Sequence, residues 1–296
     1  PQPKYHPATI YHNILRKIDW SELAIHVISW QTYSSSEAGT IGSNMNDSQN
    51  TDQLDVVIVG AGFAGMYMLH RLRKRNLKTV VLEAGSDVGG TWYWNRYPGA
   101  RCDVPSMEYS YSFSSELQQE WDWSEVMAGQ PEILEYAGHV ADRFNLRPDI
   151  NFDTRVISAV YDEPNQCWSI TTDKNQNYQS RYCIMATGCL SVTNTPEIKG
   201  ANDFSGPIYH TGKWPHEGVD FTDVSVGIIG TGSSGIQAIP VIAENAQHLT
   251  IFQRTPNYTM PAYNKPLTAE FREEARANYD QIRADQRASL AGIVGY

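Results

Sequence analysis

Two segments of this chain carry the same glycine spacing. Residues 55–65 read DVVIVGAGFAG, with Gly60, Gly62 and Gly65 at G-x-G-x-x-G, and residues 225–235 read SVGIIGTGSSG, with Gly230, Gly232 and Gly235 in the same places. Each follows a short apolar run of strand length and precedes a helix-like stretch, which is the context that gives the spacing meaning. Glycines let a backbone turn close on a pyrophosphate, and the N-terminus of the next helix offers free N–H groups and a positive dipole end. A chain built this way is expected to be an α/β protein with two dinucleotide-binding, Rossmann-like domains, moving electrons between two dinucleotides.

The residue at the end of each second strand separates the two cradles. Glu83 lies 23 residues after Gly60, at the end of TVVLEA. A carboxylate there can accept the ribose hydroxyls of an adenosine, as in FAD or NAD. Arg254 lies 24 residues after Gly230, at the end of LTIFQR. A guanidinium there suits a 2′-phosphate, which it can grip bidentately, so NADPH is favoured over NADH. The plainer alternative for both is a surface charge at a strand end; the matching register in the two copies weighs against it.

Hydrophobic residues make up 41% and charged residues 19% of the 296, ordinary for a globular chain and long enough for two domains. A net charge of −10 weighs against nucleic acid as a partner. No apolar run approaches the roughly 20 residues that span a bilayer, so no membrane association is expected. No basic start followed by an apolar core reads as a secretory signal, and a cytoplasmic location follows by default. The cysteines, Cys102, Cys167, Cys183 and Cys189, form neither C-x-x-C nor C-x-x-x-x-C. That spacing separates the chain from flavoenzymes that add a redox disulfide to two dinucleotides. The histidines lack metal-ligand spacing, and no metal is expected. Nothing in the sequence speaks to oligomeric state.

Along the chain, residues 1–52 read as a leader and linker. The chain starts at Pro1, residues 33–53 are a polar Ser/Asn/Asp/Gln/Gly-rich tract, and Met45 is the expected natural start. Residues 53–190 read as the FAD-binding domain. It carries an aromatic-rich packing segment at 91–123, a helix at 131–144, and a β-rich insertion with strands at 157–162, 167–172 and 182–188. Residues 191–224 read as an interdomain crossover. Residues 225–296 open the NADP-binding domain with one βαβ unit, followed by a solvated amphipathic helix at 268–290. That domain is expected to be incomplete.

Two longer strings lie between the cradles. Residues 89–103 read GGTWYWNRYPGARCD, with Gly90, Trp92, Tyr97, Pro98, Gly99 and Asp103, and residues 204–215 read FSGPIYHTGKWP, with Phe204, Gly206, His210, Trp214 and Pro215. In these strings the chain resembles the type I Baeyer–Villiger monooxygenases, notably the phenylacetone and cyclohexanone monooxygenase branch, over a span from about Asp55 onward. The resemblance implies an NADPH- and O2-dependent flavoprotein that converts a ketone to an ester or lactone through a flavin C4a-peroxide. By the same resemblance, Gly60, Gly62 and Gly65 would hold the FAD pyrophosphate and Glu83 its ribose. Thr91, Trp92 and Tyr109 would line the flavin. Gly230, Thr231, Gly232, Ser233, Ser234 and Gly235 would cradle the NADP pyrophosphate, and Arg254 and Thr255 would take the 2′-phosphate. Asp103 would orient the family's catalytic arginine, the alternative being a carboxylate that caps a turn. His210 would act through structure and domain movement rather than proton transfer. The family's arginine lies downstream of the second cradle, and Arg272, Arg276, Arg283 and Arg287 are poor substitutes for it. The chain therefore resembles an N-terminal portion of such an enzyme. An N- or S-hydroxylating flavin monooxygenase and a non-catalytic nucleotide-binding fragment are the competing expectations.

Overall fold

A computed structural model describes residues 54–290 and 292–294; the leader, the linker and Met45 lie outside the described residues. The chain opens with β1 (Leu54–Val59), α1 (Phe63–Arg73) and β2 (Thr79–Leu82). β1 and β2 pair in parallel with Val59 opposite Leu82, which a strand–helix–strand crossover allows. Because successive side chains of a strand point to opposite faces, β1 contributes to two cores. Val56 and Ile58 meet Met66 and Leu69 of α1 on one face, and Val57 and Val59 meet Leu82 and Ile170 on the other. Both faces are covered, which is why the run reads as continuously apolar.

After α2 (Thr91–Trp94), α3 (Ser115–Glu120) and α4 (Gln130–Arg143) come β3 (Ile150–Asn151), β4 (Val156–Asp162), β5 (Cys167–Thr172) and β6 (Asn177–Met185). The sheet order is β3-β2-β1-β6-β5-β4. β4, β5 and β6 form an antiparallel meander. The last of its strands begins at Asn177, five residues before the 182 expected from sequence, and pairs in parallel with β1. The β-rich segment is thus joined to the parallel sheet through its own third strand.

The second motif forms β7 (Ser225–Ile229), α5 (Ser233–Ala243) and β8 (His248–Phe252). Its two strands pair in parallel with Ile229 opposite Phe252, the register of the first copy. Here the sheet has two strands, and Ile229 and Phe252 remain exposed.

Residues 268–290, expected as one solvated helix, form two: α6 (Ala269–Ala277) and α7 (Tyr279–Ala288), broken at Asn278. Ala275 and Tyr279 are buried with Trp92, Met107, Leu117, Trp123 and Tyr136. The charged helices therefore return to the aromatic segment of the first motif. Fully buried aromatic and aliphatic side chains of this kind are each worth about 1.5–3 kcal/mol, more than an exposed charged helix gains alone. Arg283 is 5% exposed and donates to Gln118 and Ser110.

Candidate cofactor sites

The two glycine turns have one geometry. Gly60 and Gly230 stand at φ +103° and +101°, a region that side chains rarely enter. Each donates its N–H across the parallel pair, to Leu82 and to Phe252, at 2.9 Å in both copies. Gly62 and Gly232 hold the position just before α1 and α5, with no side-chain cap on the helix N-terminus. The uncapped N–H groups are the ones that an anion can take. A Cβ on Gly65 would overlap the carbonyl oxygen of Gly60, and one on Gly235 would lie 2.6 Å from that of Gly230. The third glycine of each motif therefore seats its helix against its turn.

The copies differ in what surrounds them. Around the first turn a Cβ on Gly60 would meet Ala186 O at 2.6 Å, and one on Gly62 would meet Gly90 at 3.4 Å. Gly89 donates to Ala61 O at 3.2 Å, so the string that contains Thr91 and Trp92 is laid against the turn. Around the second turn, a Cβ on Gly230 or Gly232 would meet nothing within 4 Å.

Glu83, at the end of β2, is 4% exposed. Its two carboxylate oxygens accept the N–H groups of Ala61 at 2.6 Å and Gly85 at 2.7 Å. A carboxylate has about four lone-pair directions, so both oxygens keep capacity for ribose hydroxyls. In the second copy the strand register puts Gln253 at the place of Glu83, and Arg254 and Thr255, which follow it, are exposed. Gln253 Nε2 donates to the Thr231 hydroxyl at 2.8 Å and Asn257 Nδ2 to the Thr231 carbonyl at 2.7 Å. These two amides tie the strand end to the turn and leave the Arg254 guanidinium without a hydrogen bond or ion pair among the described residues. Sequence reasoning passed over Gln253 and Asn257; their closeness to Arg254 was the available signal.

Trp92, Tyr109 and Asp103 come together beside the first turn. Trp92 Nε1–H donates to the Tyr109 hydroxyl at 3.0 Å, with the rings edge to face at 5.7 Å. Burial pushes the Tyr109 phenol above its ordinary range, against the pull of the Trp92 bond, and Cys102, Asp103 and Cys189 add to the rise. The phenol stays neutral, and the exposed carboxylate of Asp103 stands close enough for its charge to act on it. The Asp103 side chain makes no hydrogen bond among the described residues and so caps no turn there.

His210 is placed differently. Its Nδ1 accepts the Gly212 N–H at 3.0 Å, capping a short 3₁₀ turn at Thr211–Lys213, and its Nε2 faces Asn194 O at 3.3 Å. With Nδ1 as acceptor, the proton sits on Nε2 and is donated to that carbonyl. Both partners belong to the crossover. Four residues on, Trp214 is buried with Ala238 and Ile242 of α5, which anchors the crossover on the second motif. Among the four arginines of the last helices, Arg283 is buried and Arg276 pairs with Asp122.

Residues 57–294 match the family model described as pyridine nucleotide-disulphide oxidoreductase. A Baeyer–Villiger monooxygenase of Pseudooceanicola batsensis is 47% identical over 229 residues, covering 77% of this chain and 42% of that protein. The phenazine N-monooxygenase PhzNO1 of Lysobacter antibioticus is 42% identical over 239 residues, covering 80% and 44%. Among solved structures, an oxidized steroid monooxygenase bound to NADP superposes with a TM-score of 0.79 at 57% identity, covering 81% of this chain and 46% of that one. The chain spans under half the length of the relatives it matches. Two glycine turns in one register, a buried carboxylate at the first and an exposed guanidinium at the second accord with these matches: the chain belongs to the pyridine nucleotide-disulphide oxidoreductase family and is related within it to the Baeyer–Villiger monooxygenases.

Proposed function

We propose that this chain contributes the FAD-binding and NADPH-binding cradles of a monooxygenase that inserts one oxygen atom of O2 into a ketone, giving an ester or lactone. Residues 53–190 are the flavin-binding part, 191–224 the crossover, and the unit opening at Ser225 the NADP-binding part. The observation that carries the assignment is the contrast between the two strand ends: a buried, backbone-bound Glu83 at one turn and, at the other, an exposed Arg254 that has no partner among the described residues.

Bound FAD and NADPH would supply the redox chemistry, hydride from one and oxygen activation on the other. The residues of the chain bind and orient. Gly60, Gly62 and Gly65 let the first turn approach a pyrophosphate, and Glu83 accepts the ribose hydroxyls. Gly230, Thr231, Gly232, Ser233, Ser234 and Gly235 do the same at the second turn. Arg254, with Thr255, takes the 2′-phosphate and so selects NADPH. Thr91, Trp92 and Tyr109 wall the flavin side with neutral, mostly apolar surface, which helps to keep water out. Asp103 presents an exposed carboxylate to that wall, placed to hold a cationic side chain. His210 holds the crossover by capping it and moves no proton.

The test is turnover by the full-length protein with NADPH, a cyclic ketone and ¹⁸O2. A lactone carrying one labelled atom supports the assignment. The relationship to a phenazine N-monooxygenase favours a second function, oxygen transfer to a ring nitrogen. Labelled N-oxide from a phenazine, with no lactone from any ketone, would establish that function instead.

A further inference from the structure

A joint between the two cradles lies outside both glycine motifs. Gln237 stands on α5, five residues after Gly232. Its side-chain oxygen accepts the Tyr97 hydroxyl at 2.8 Å and the Arg101 backbone N–H at 3.3 Å, and its Nε2–H donates to the Arg101 carbonyl at 3.2 Å. Beside it Gly99 sits at φ +75°, where a Cβ would overlap the Gln237 carbonyl and come within 3.0 Å of Val241 Cγ2. The loop lies backbone to backbone on the helix, which only glycine permits.

Arg101 carries the contact further. Its Nη1 donates to Glu125 Oε2 at 2.9 Å and to Met127 O at 3.3 Å. The same Glu125 oxygen accepts Asn264 Nδ2–H at 2.5 Å, and Asn264 Oδ1 accepts the Met127 N–H at 2.8 Å. Asn264 lies on the segment that leaves β8. The helix after the second turn and the chain after the second strand therefore meet on the same Arg101–Glu125 pair.

The loop that receives these contacts, Tyr97–Arg101, runs between Trp92 and Asp103, in the string assigned to the flavin side. The first turn of α5 is the one assigned to the NADP pyrophosphate. A shift of α5 would be passed to that string through three hydrogen bonds and a steric stop at Gly99. We infer that Gln237 is a positioning residue that couples occupancy of the second cradle to the flavin-side string. The inference rests on the FAD and NADP assignments above.

The experiment uses the full-length protein and three variants: Gln237→Met, which keeps length and helix propensity but makes no hydrogen bond; Gln237→Glu, which keeps the acceptor oxygen; and Tyr97→Phe, which removes one bond. FAD affinity is read by flavin fluorescence and NADP+ affinity by calorimetry. Coupling is read as the change in flavin visible absorbance at saturating NADP+. We expect each variant to bind FAD within about twofold of wild type. The NADP+-induced change should lose more than half its amplitude in Gln237→Met and less in Gln237→Glu and Tyr97→Phe, ordered by hydrogen bonds kept. If Gln237→Met does not fold, Tyr97→Phe and Gln237→Glu carry the test. Undiminished amplitude in every folded variant overturns the inference. Wild type that takes up no FAD overturns the cofactor assignment itself, a distinct result.

Discussion

The carboxylate of Glu83 accepts the backbone N–H of Ala61 at 2.6 Å, so the end of the second strand is tied directly into the first glycine turn. The other oxygen holds Gly85 N–H at 2.7 Å. Glu83→Ala would leave both N–H groups buried without partners, at about 1–3 kcal/mol each, and would lower the melting temperature as well as FAD affinity. Glu83→Gln keeps one acceptor oxygen. It should cost less stability and still weaken FAD at least tenfold in a fluorescence titration. An unchanged FAD affinity in a folded Glu83→Gln protein would restrict this residue to holding the turn.

Arg254 offers the opposite case. It is exposed and without a hydrogen bond or ion pair among the described residues, so Arg254→Ala should leave the melting temperature within a degree or so of wild type. A charge-assisted pair with a 2′-phosphate is worth about 1.5–3 kcal/mol, which is roughly 10–150-fold in NADP+ affinity. NAD+ binding should not move. Arg254→Lys keeps the charge without the planar fork and should fall between. Equal losses for NADP+ and NAD+ would dissociate Arg254 from the phosphate.

Local order was well written in the sequence, and long-range order was not. The apolar run before Gly60, the helix after it and the strand ends that carry Glu83 and Arg254 all follow from short-range periodicity. The aromatic segment also read correctly as packing: Trp123 is 1% exposed and Trp92 and Tyr93 are 7% exposed. The return of α6 and α7 to that segment was hidden, because Arg272, Arg276, Arg283 and Arg287 make the stretch look solvated. Burial of Arg283 depends on Gln118 and Ser110, more than 160 residues away in the chain. The pairing of β6 with β1 was equally hidden, since no local pattern names a strand's neighbour. Gln237 is the one polar residue of α5 beyond the serines of its first turn, and its meaning lies entirely in Tyr97 and Arg101.

The third glycines should tolerate alanine far less than the second. In Gly65→Ala the new methyl would overlap the carbonyl of Gly60 inside a packed core, and separating α1 from its turn would cost about 2 kcal/mol or more. Gly232 stands at φ −72° and a Cβ there would meet nothing within 4 Å, so Gly232→Ala should be nearly neutral in urea denaturation. It should nevertheless impair NADP+, because the methyl occupies the surface on which the pyrophosphate rests. A Gly232→Ala protein with wild-type NADP+ affinity would remove that turn from the binding site.

Stability should decline in alkali for a reason that can be traced to particular side chains. Burial pushes the Cys102 thiol up to about 11, with Asp103 adding to the rise and the backbone N–H groups of Val104 and Asp103 opposing it. Burial alone raises Cys183 to about 11. Both stand above the 9.0 of an ordinary thiol, so the folded chain keeps protons that the unfolded chain releases. Their contribution is complete below about pH 9 and is lost as pH rises through about 11. The buried phenols of Tyr109, Tyr111, Tyr136 and Tyr279 are raised as well, and their contribution is lost from about pH 10 upward. The urea midpoint should therefore be flat near neutrality and fall from about pH 9, the thiols acting first. In a Cys102→Ala/Cys183→Ala protein the fall should begin about one pH unit later, where the phenols take over. At pH 8, native-state alkylation should reach exposed Cys189 well before Cys102, whose thiol is protonated and 4% exposed. An identical onset of the alkaline fall with and without the two thiols would assign the whole effect to the tyrosines.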